Sequence, residues 1–263
     1  MRKKLDLTVF IITLLAVILF ILPSLSLLFS TNPLKILKAL GDPEFLEALK
    51  VSFLCAFASS LLILLLGLPF SYFLARKKIP LSKTLEVLSE IPTAIPHSVA
   101  GIAVLYLFGN STFIGRFLSF LHLGVYGSYL GIILAMTFVS APYFIATVRE
   151  GIWHLPVEYE KISYTLGRGR IYTFFKVVIP MVKSHILKGF ILSWGRAVSE
   201  FGAVMVVAYF PMTATVYIYE KLETMGIRVT LPYATLMLLL TGGIFVFLRI
   251  LWGKYAESRK SAG

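Results

Sequence analysis

Charge is what this sequence has least of. Only 14% of its 263 residues are Asp, Glu, Lys or Arg, against roughly a quarter in an ordinary soluble domain. With 58% apolar residues, the chain carries more hydrophobic surface than a soluble fold hides, which excludes a soluble globular class. It has one cysteine, Cys55, set inside an apolar run. That rules out an internal disulfide and a cysteine-built metal cage, and marks Cys55 as a small buried apolar residue. No Gly-x-x-x-x-Gly-Lys-Ser/Thr run occurs, so the chain holds no ATP-binding loop of its own. Gly167-Arg168-Gly169-Arg170 imitates a phosphate cradle only superficially, because no strand precedes it. A nucleophile elbow and a His-Glu-x-x-His pair are also missing. No enzymatic chemistry, metal or cofactor is therefore expected in this chain. The polar–apolar alternation of barrel strands is absent as well, which leaves helices.

What is present is long apolar sequence, with a mean hydropathy of +0.86. Six apolar segments emerge: Leu7–Phe29, Val51–Ala75, Pro92–Phe108, Ser128–Val148, Gly189–Tyr209 and Leu231–Gly253. Each is long enough for a spanning helix, Pro92–Phe108 only marginally. The first follows Met1-Arg2-Lys3-Lys4 and resembles a signal peptide. At 23 residues it exceeds the usual hydrophobic region, and no small-x-small site ends it, so it is read as a membrane helix. The net charge of +12 does not point to nucleic acid, because the basic residues flank the ends of apolar runs. With the N-terminus inside, segments 1–6, 76–91, 149–188 and 249–263 hold 18 Lys and Arg, against 6 in the outer loops. This asymmetry predicts an all-α integral membrane protein with six transmembrane helices and both termini in the cytoplasm. One transmembrane domain is expected over residues 1–263.

Two places break the apolar pattern. Pro92, Pro96, His97 and Gly101 crowd one span, where an ordinary straight helix is not expected. Either the backbone there is irregular and is covered by protein or lines a wet cavity, or it is a short entry loop before the helix begins. The longest cytoplasmic connection, residues 149–188, carries seven basic and three acidic residues. Pro156 suits the first turn of a helix from about Val157 to Leu166, and Gly167 and Gly169 suit its stop. Ile171, Phe174, Phe175 and Val178 then repeat at helical spacing, and Pro180 punctuates or kinks the helix they form. Two short helices hinged at a glycine can seat in a partner's groove, or can lie flat on the membrane surface.

The stretch from Gly167 to Pro180 resembles the EAA loop of ABC importer permeases. A glycine is followed, after nine residues, by the aliphatic-x-aliphatic-Pro ending Val177-Val178-Ile179-Pro180. The naming tripeptide is degraded: Lys161, Ile162 and Ser163 stand in its place, with Glu160 one position early. Residues Ile91–Ala103 (IPTAIPHSVAGIA) are similar to the proline-rich stretch before the third span of molybdate and tungstate permeases. Ser193–Ala203 (SWGRAVSEFGA) resembles that family's Arg-Ala-x-x-Glu-Phe-Gly signature, which sulfate permeases largely share. Ala208–Glu220 (AYFPMTATVYIYE) is similar to the archaeal branch.

The resemblance implies an ABC type I importer permease fold and a homodimer of six-span chains in the cell membrane. It further implies two ABC ATPase subunits, carrying ATP and Mg, and an extracytoplasmic binding protein delivering the oxyanion. On that footing Glu160, Tyr164, Thr165, Leu166, Gly167, Arg168 and Pro180 are the expected ATPase-coupling residues. Pro96, His97, Ser98, Arg196 and Glu200 are the candidate intramembrane polar or pathway residues. Arg196 and Glu200, four apart, share one helix face and form either pathway polarity or a self-neutralising structural pair. His97 either faces the pathway or satisfies nearby backbone. Tyr209, Phe210, Pro211 and Met212 mark an external span end, close to a receptor surface or within an ordinary aromatic belt. The competing readings are a sulfate or thiosulfate ABC permease, a secondary carrier and a non-transporting membrane scaffold or receptor.

Overall fold

The computed structural model describes residues 2–77 and 80–260, and within them every regular element is helical. In chain order these are α1 (Arg2–Phe20), α2 (Leu22–Ser30), α3 (Pro33–Leu40), α4 (Pro43–Ala75), α5 (Ser82–Ala94) and α6 (His97–Phe108). There follow α7 (Phe113–Phe120), α8 (Tyr129–Trp153), α9 (Glu158–Thr165), α10 (Arg170–Thr173), a π-turn (Phe174–Val178) and α11 (Ile179–Val198). The chain ends with α12 (Gly202–Val207), α13 (Ala214–Met225) and α14 (Ile227–Lys260).

Among the described residues, three helical segments are long and apolar enough to cross a membrane: Pro43–Ala75, Tyr129–Trp153 and Ile227–Leu248. Two bent pairs add to them: Val9–Phe20 with Leu22–Ser30, bent by 48°, and Ser82–Ala94 with His97–Phe108, bent by 119°. By length and composition, three to five apolar spans result among the described residues. The expected continuous span Gly189–Tyr209 is interrupted, since α11 stops at Val198 and α12 starts at Gly202. The crowded prolines act at one point: α5 ends at Ala94 and Pro96 caps α6, which then runs unbroken from His97. Pro180 does not end its helix. The preceding turn widens to a π-turn, in which the Ile179 N–H bonds the Phe174 carbonyl, and Pro180 sits in the first turn of α11. One extra residue in the turn lets a residue without an N–H be passed.

Contacts divide the chain into two units. The larger comprises Ala48–Val216 and Ile244–Gly263, and its core joins Ile63, Tyr72, Phe144, Val148, Ile152 and Val178. Phe144 is fully buried. Its ring fills the space in front of two glycines: a Cβ on Gly67 would lie 3.0 Å from it, and one on Gly189 would lie 3.1 Å from it. Small residues at such crossings let helix backbones approach closely, which drives packing where lipid removes the hydrophobic gain.

The smaller unit comprises Met1–Glu47 and Tyr217–Gly243, and it is organised by Asp42. Oδ1 accepts the backbone N–H groups of Glu44 (3.0 Å) and Phe45 (3.4 Å), capping the start of α4. Oδ2 accepts the hydroxyls of Tyr217 and Tyr233, each at 2.7 Å. Both rings pack on the buried Phe45, with centroids 5.4 and 5.0 Å away. Burial pushes the Asp42 carboxyl up, but the two tyrosines and two amides outweigh it and leave its pKa below the ordinary 3.8. A lowered carboxylate pKa contributes stability that is complete above the ordinary value and is lost as pH falls through the folded-state value. Asp42→Ala should lower thermal stability in detergent by about 1–2 kcal/mol at neutral pH. Melts recorded against pH should show the gap to wild type closing in strong acid.

Candidate functional site

The loop between α8 and α11 is a folded projection. α9 ends where Gly167 adopts φ +74°, a left-handed conformation that favours glycine. The Ser163 and Thr173 hydroxyls meet at 2.8 Å and pin α9 to α10. Tyr164, Thr165, Leu166, Gly167, Arg168 and Pro180 are all exposed. The Arg168 guanidinium lies over the Tyr172 ring at 4.8 Å. Tyr159 and Ile162 are also exposed, by 45% and 56%, and with Leu166 at 73% they form an apolar ridge along α9. Their spacing of three and four residues carries that signal in the sequence.

Glu160 departs from its six companions. Its side chain is only 3% exposed and faces the end of α4. Oε1 accepts Arg76 Nε at 2.6 Å, and Oε2 accepts the Tyr72 hydroxyl at 2.6 Å. Arg76 Nη2 donates in addition to the Leu155 carbonyl at 3.0 Å. Sequence reasoning found neither Tyr72 nor Arg76. Arg76 is the first charge after an apolar run and reads as a topology determinant, and nothing local links it to a residue 84 positions away.

The second polar cluster lies where two helix breaks meet. Glu200 falls in the gap between α11 and α12, and its side chain is 1% exposed. Oε1 accepts the Ala203 N–H at 2.8 Å, satisfying an amide at the start of α12. Oε2 takes Arg196 Nη2 at 2.7 Å and lies 3.4 Å from His97 Nδ1. Arg196 Nη2 also lies 2.9 Å from His97 Nε2. The pair expected on one helix face is formed, with Glu200 just beyond the helix end. His97 joins it, while Ser98 and Pro96 stay exposed on the α6 side of the break.

Glycines set the closeness of this junction. A Cβ on Gly101 would lie 2.7 Å from the Ala203 carbonyl oxygen, and one on Gly202 would lie 2.8 Å from His97 Cβ. The carbonyl is backbone and cannot swing aside. Gly101→Ala should therefore cost about 1–3 kcal/mol through overpacking. Thermal melts of the purified chain check this, and Gly243→Ala, where a Cβ meets nothing within 4 Å, supplies the control for the helix-propensity gain alone.

A many-span helical protein with a folded interhelical projection and a polar knot inside its broken spans has the architecture of a transport subunit. Residues 67–261 match the family model described as binding-protein-dependent transport system inner membrane component. The chain belongs to that family, whose members are multi-pass membrane permeases. It is 41% identical over 219 residues to the molybdate/tungstate transport system permease protein WtpB of Thermococcus kodakarensis, covering 83% of each chain. To the WtpB of Methanocaldococcus jannaschii it is 33% identical, covering 94% of this chain and 97% of that one. The sulfate permease CysT of Salmonella typhimurium is 36% identical over 64% of this chain and 60% of its own. In fold, the chain is similar to a bacterial ABC transporter that imports alginate. The TM-score is 0.68 at 16% identity, over 96% of both chains.

Proposed function

We propose that this chain is the permease subunit of an ATP-driven importer for molybdate and tungstate. The observation that carries this is the 41% identity to a WtpB permease over 83% of both chains. Sulfate permeases match less well, at 36% identity over 64% of the chain or at 28% over 90%, which favours molybdate and tungstate over sulfate or thiosulfate. In this reading two identical chains, each with six spans and cytoplasmic termini, enclose a central pathway. The excess of 18 inner over 6 outer basic residues supports that orientation. Two ABC ATPase subunits hold ATP and Mg and receive the α9 ridge and the exposed Tyr164, Thr165, Leu166, Gly167 and Arg168. An extracytoplasmic binding protein delivers the anion. ATP shifts the pathway between outward and inward states only if the loop contacts the ATPase differently in each.

Arg196, already neutralised by Glu200, suits a pathway that passes a dianion without holding it, since tight capture slows release. Removing Arg196 alone would strand a buried carboxylate, at a cost of about 3–5 kcal/mol. The double variant Arg196→Leu/Glu200→Leu avoids that cost. It should lose transport if the pair lines the pathway, whereas wild-type uptake with lower stability would make the pair structural only.

Two further measurements test the assignment. In the reconstituted complex, tungstate and molybdate with their binding protein should stimulate ATP hydrolysis more than sulfate; equal or absent stimulation would reject the oxyanion assignment. At Gly167, added side-chain atoms meet nothing within 4 Å, so the cost of substitution is backbone strain at φ +74°, about 1–2 kcal/mol. Gly167→Val should insert normally yet abolish stimulated hydrolysis, and normal coupling in that variant would sink the docking role of the loop.

A further inference from the structure

We propose that Glu160, Arg76 and Tyr72 form a latch that makes the loop-side end of α4 move as one body with the projection; all three are positioning residues. The inference rests on the coupling role assigned to the loop above, and it changes what Glu160 does there. With its side chain 3% exposed and both carboxylate oxygens engaged, Glu160 is turned away from any docking partner. It faces inward, to a helix that the loop does not join covalently.

The loop runs directly into α8 before it and α11 after it, so any displacement of the projection reaches those two helices through the backbone. α4 has no such link, because its own chain continues into α5. What joins α4 to the loop is side-chain contact. Arg76 makes two such contacts, donating to the Glu160 carboxylate at 2.6 Å and to the Leu155 carbonyl at 3.0 Å. Leu155 precedes α9 and Glu160 lies in its first turn, so one guanidinium fixes the start of that helix at two heights. Tyr72, one turn earlier on α4, closes the second carboxylate oxygen at 2.6 Å. Its ring also stands edge-on to Phe174 at the start of the π-turn, with centroids 5.0 Å apart.

The chemistry chosen for this contact matters. Apolar contacts are non-directional and let packed helices slide. Charge-assisted hydrogen bonds between a planar guanidinium and a carboxylate fix distance and orientation together. The Arg76 and Glu160 side chains are 7% and 3% exposed, so water and salt do little to loosen the pair. A loop that only needed to be glued down would be served by more apolar packing of the kind already present at Phe174 and Val178. The latch instead gives α4 a directional handle on the projection.

The test compares wild type with Arg76→Met/Glu160→Met, which removes both charges together and leaves neither buried alone. It should insert and assemble, while anion imported per ATP hydrolysed falls roughly tenfold. The reversed pair Arg76→Glu/Glu160→Arg should recover part of the loss. Wild-type stoichiometry in the neutral double variant would overturn the latch. A second readout needs no ATPase: in a Cys55→Ser background, spin labels on Phe73→Cys and Leu166→Cys report the distance from α4 to the loop. A narrow distribution that broadens in the double variant supports the latch, and unchanged distributions overturn it. If wild type itself shows no anion-stimulated hydrolysis, the transport assignment fails, and the label distances still decide the latch.

Discussion

The carboxylate of Glu200 is the interaction on which the interior of the larger unit depends. A helix broken at membrane depth exposes amides and carbonyls that lipid cannot satisfy. Glu200 supplies the missing acceptor to Ala203, and its own charge is met by Arg196 and faced by His97. Three demands are thus answered by one side chain that is 1% exposed. The break in α11–α12 and the bend between α5 and α6 are held against each other by this group. Gly101 and Gly202 allow the approach, because a side chain at either position would collide with the opposite segment.

The same device appears at the loop end of the unit. Glu160 and Arg76 repeat the carboxylate–guanidinium pairing, again with a backbone group as the third partner. One pair joins two interrupted spans, and the other joins a projection to a span that it does not continue. A chain with so few charges places them where directional bonds are needed, and leaves the remaining helix contacts to close packing around residues such as Phe144.

Much of this was legible in the residues themselves. The α9 helix and its stop at Gly167 follow from local propensity, as does the Arg196–Glu200 pairing from a spacing of four. The spans around α4, α8 and α14 follow from apolar length alone. The interruption at Ser199–Phe201 was not legible, because Gly189–Tyr209 is apolar enough to read as one helix. The passage of the chain through Pro180 was not legible either, since a π-turn is a local accommodation with no composition signature. Neither the exposure of the apolar residues along α9 nor the inward turn of Glu160 was legible, because apolar periodicity marks a face without saying what covers it. Whether a carboxylate faces a partner or its own protein depends on what stands opposite.

The sequence by itself determined the membrane class, the excess of inner positive charge and the kinship with transport permeases. These depend on composition, run length and local motif, all of which are properties of neighbouring residues. Only the tertiary structure decided which charges distant in sequence meet. Arg76 finds Glu160, and His97 finds Arg196 and Glu200, across separations that no local rule spans. A buried charge is tolerable only beside its partner, and which partner comes close enough is settled by how the helices pack.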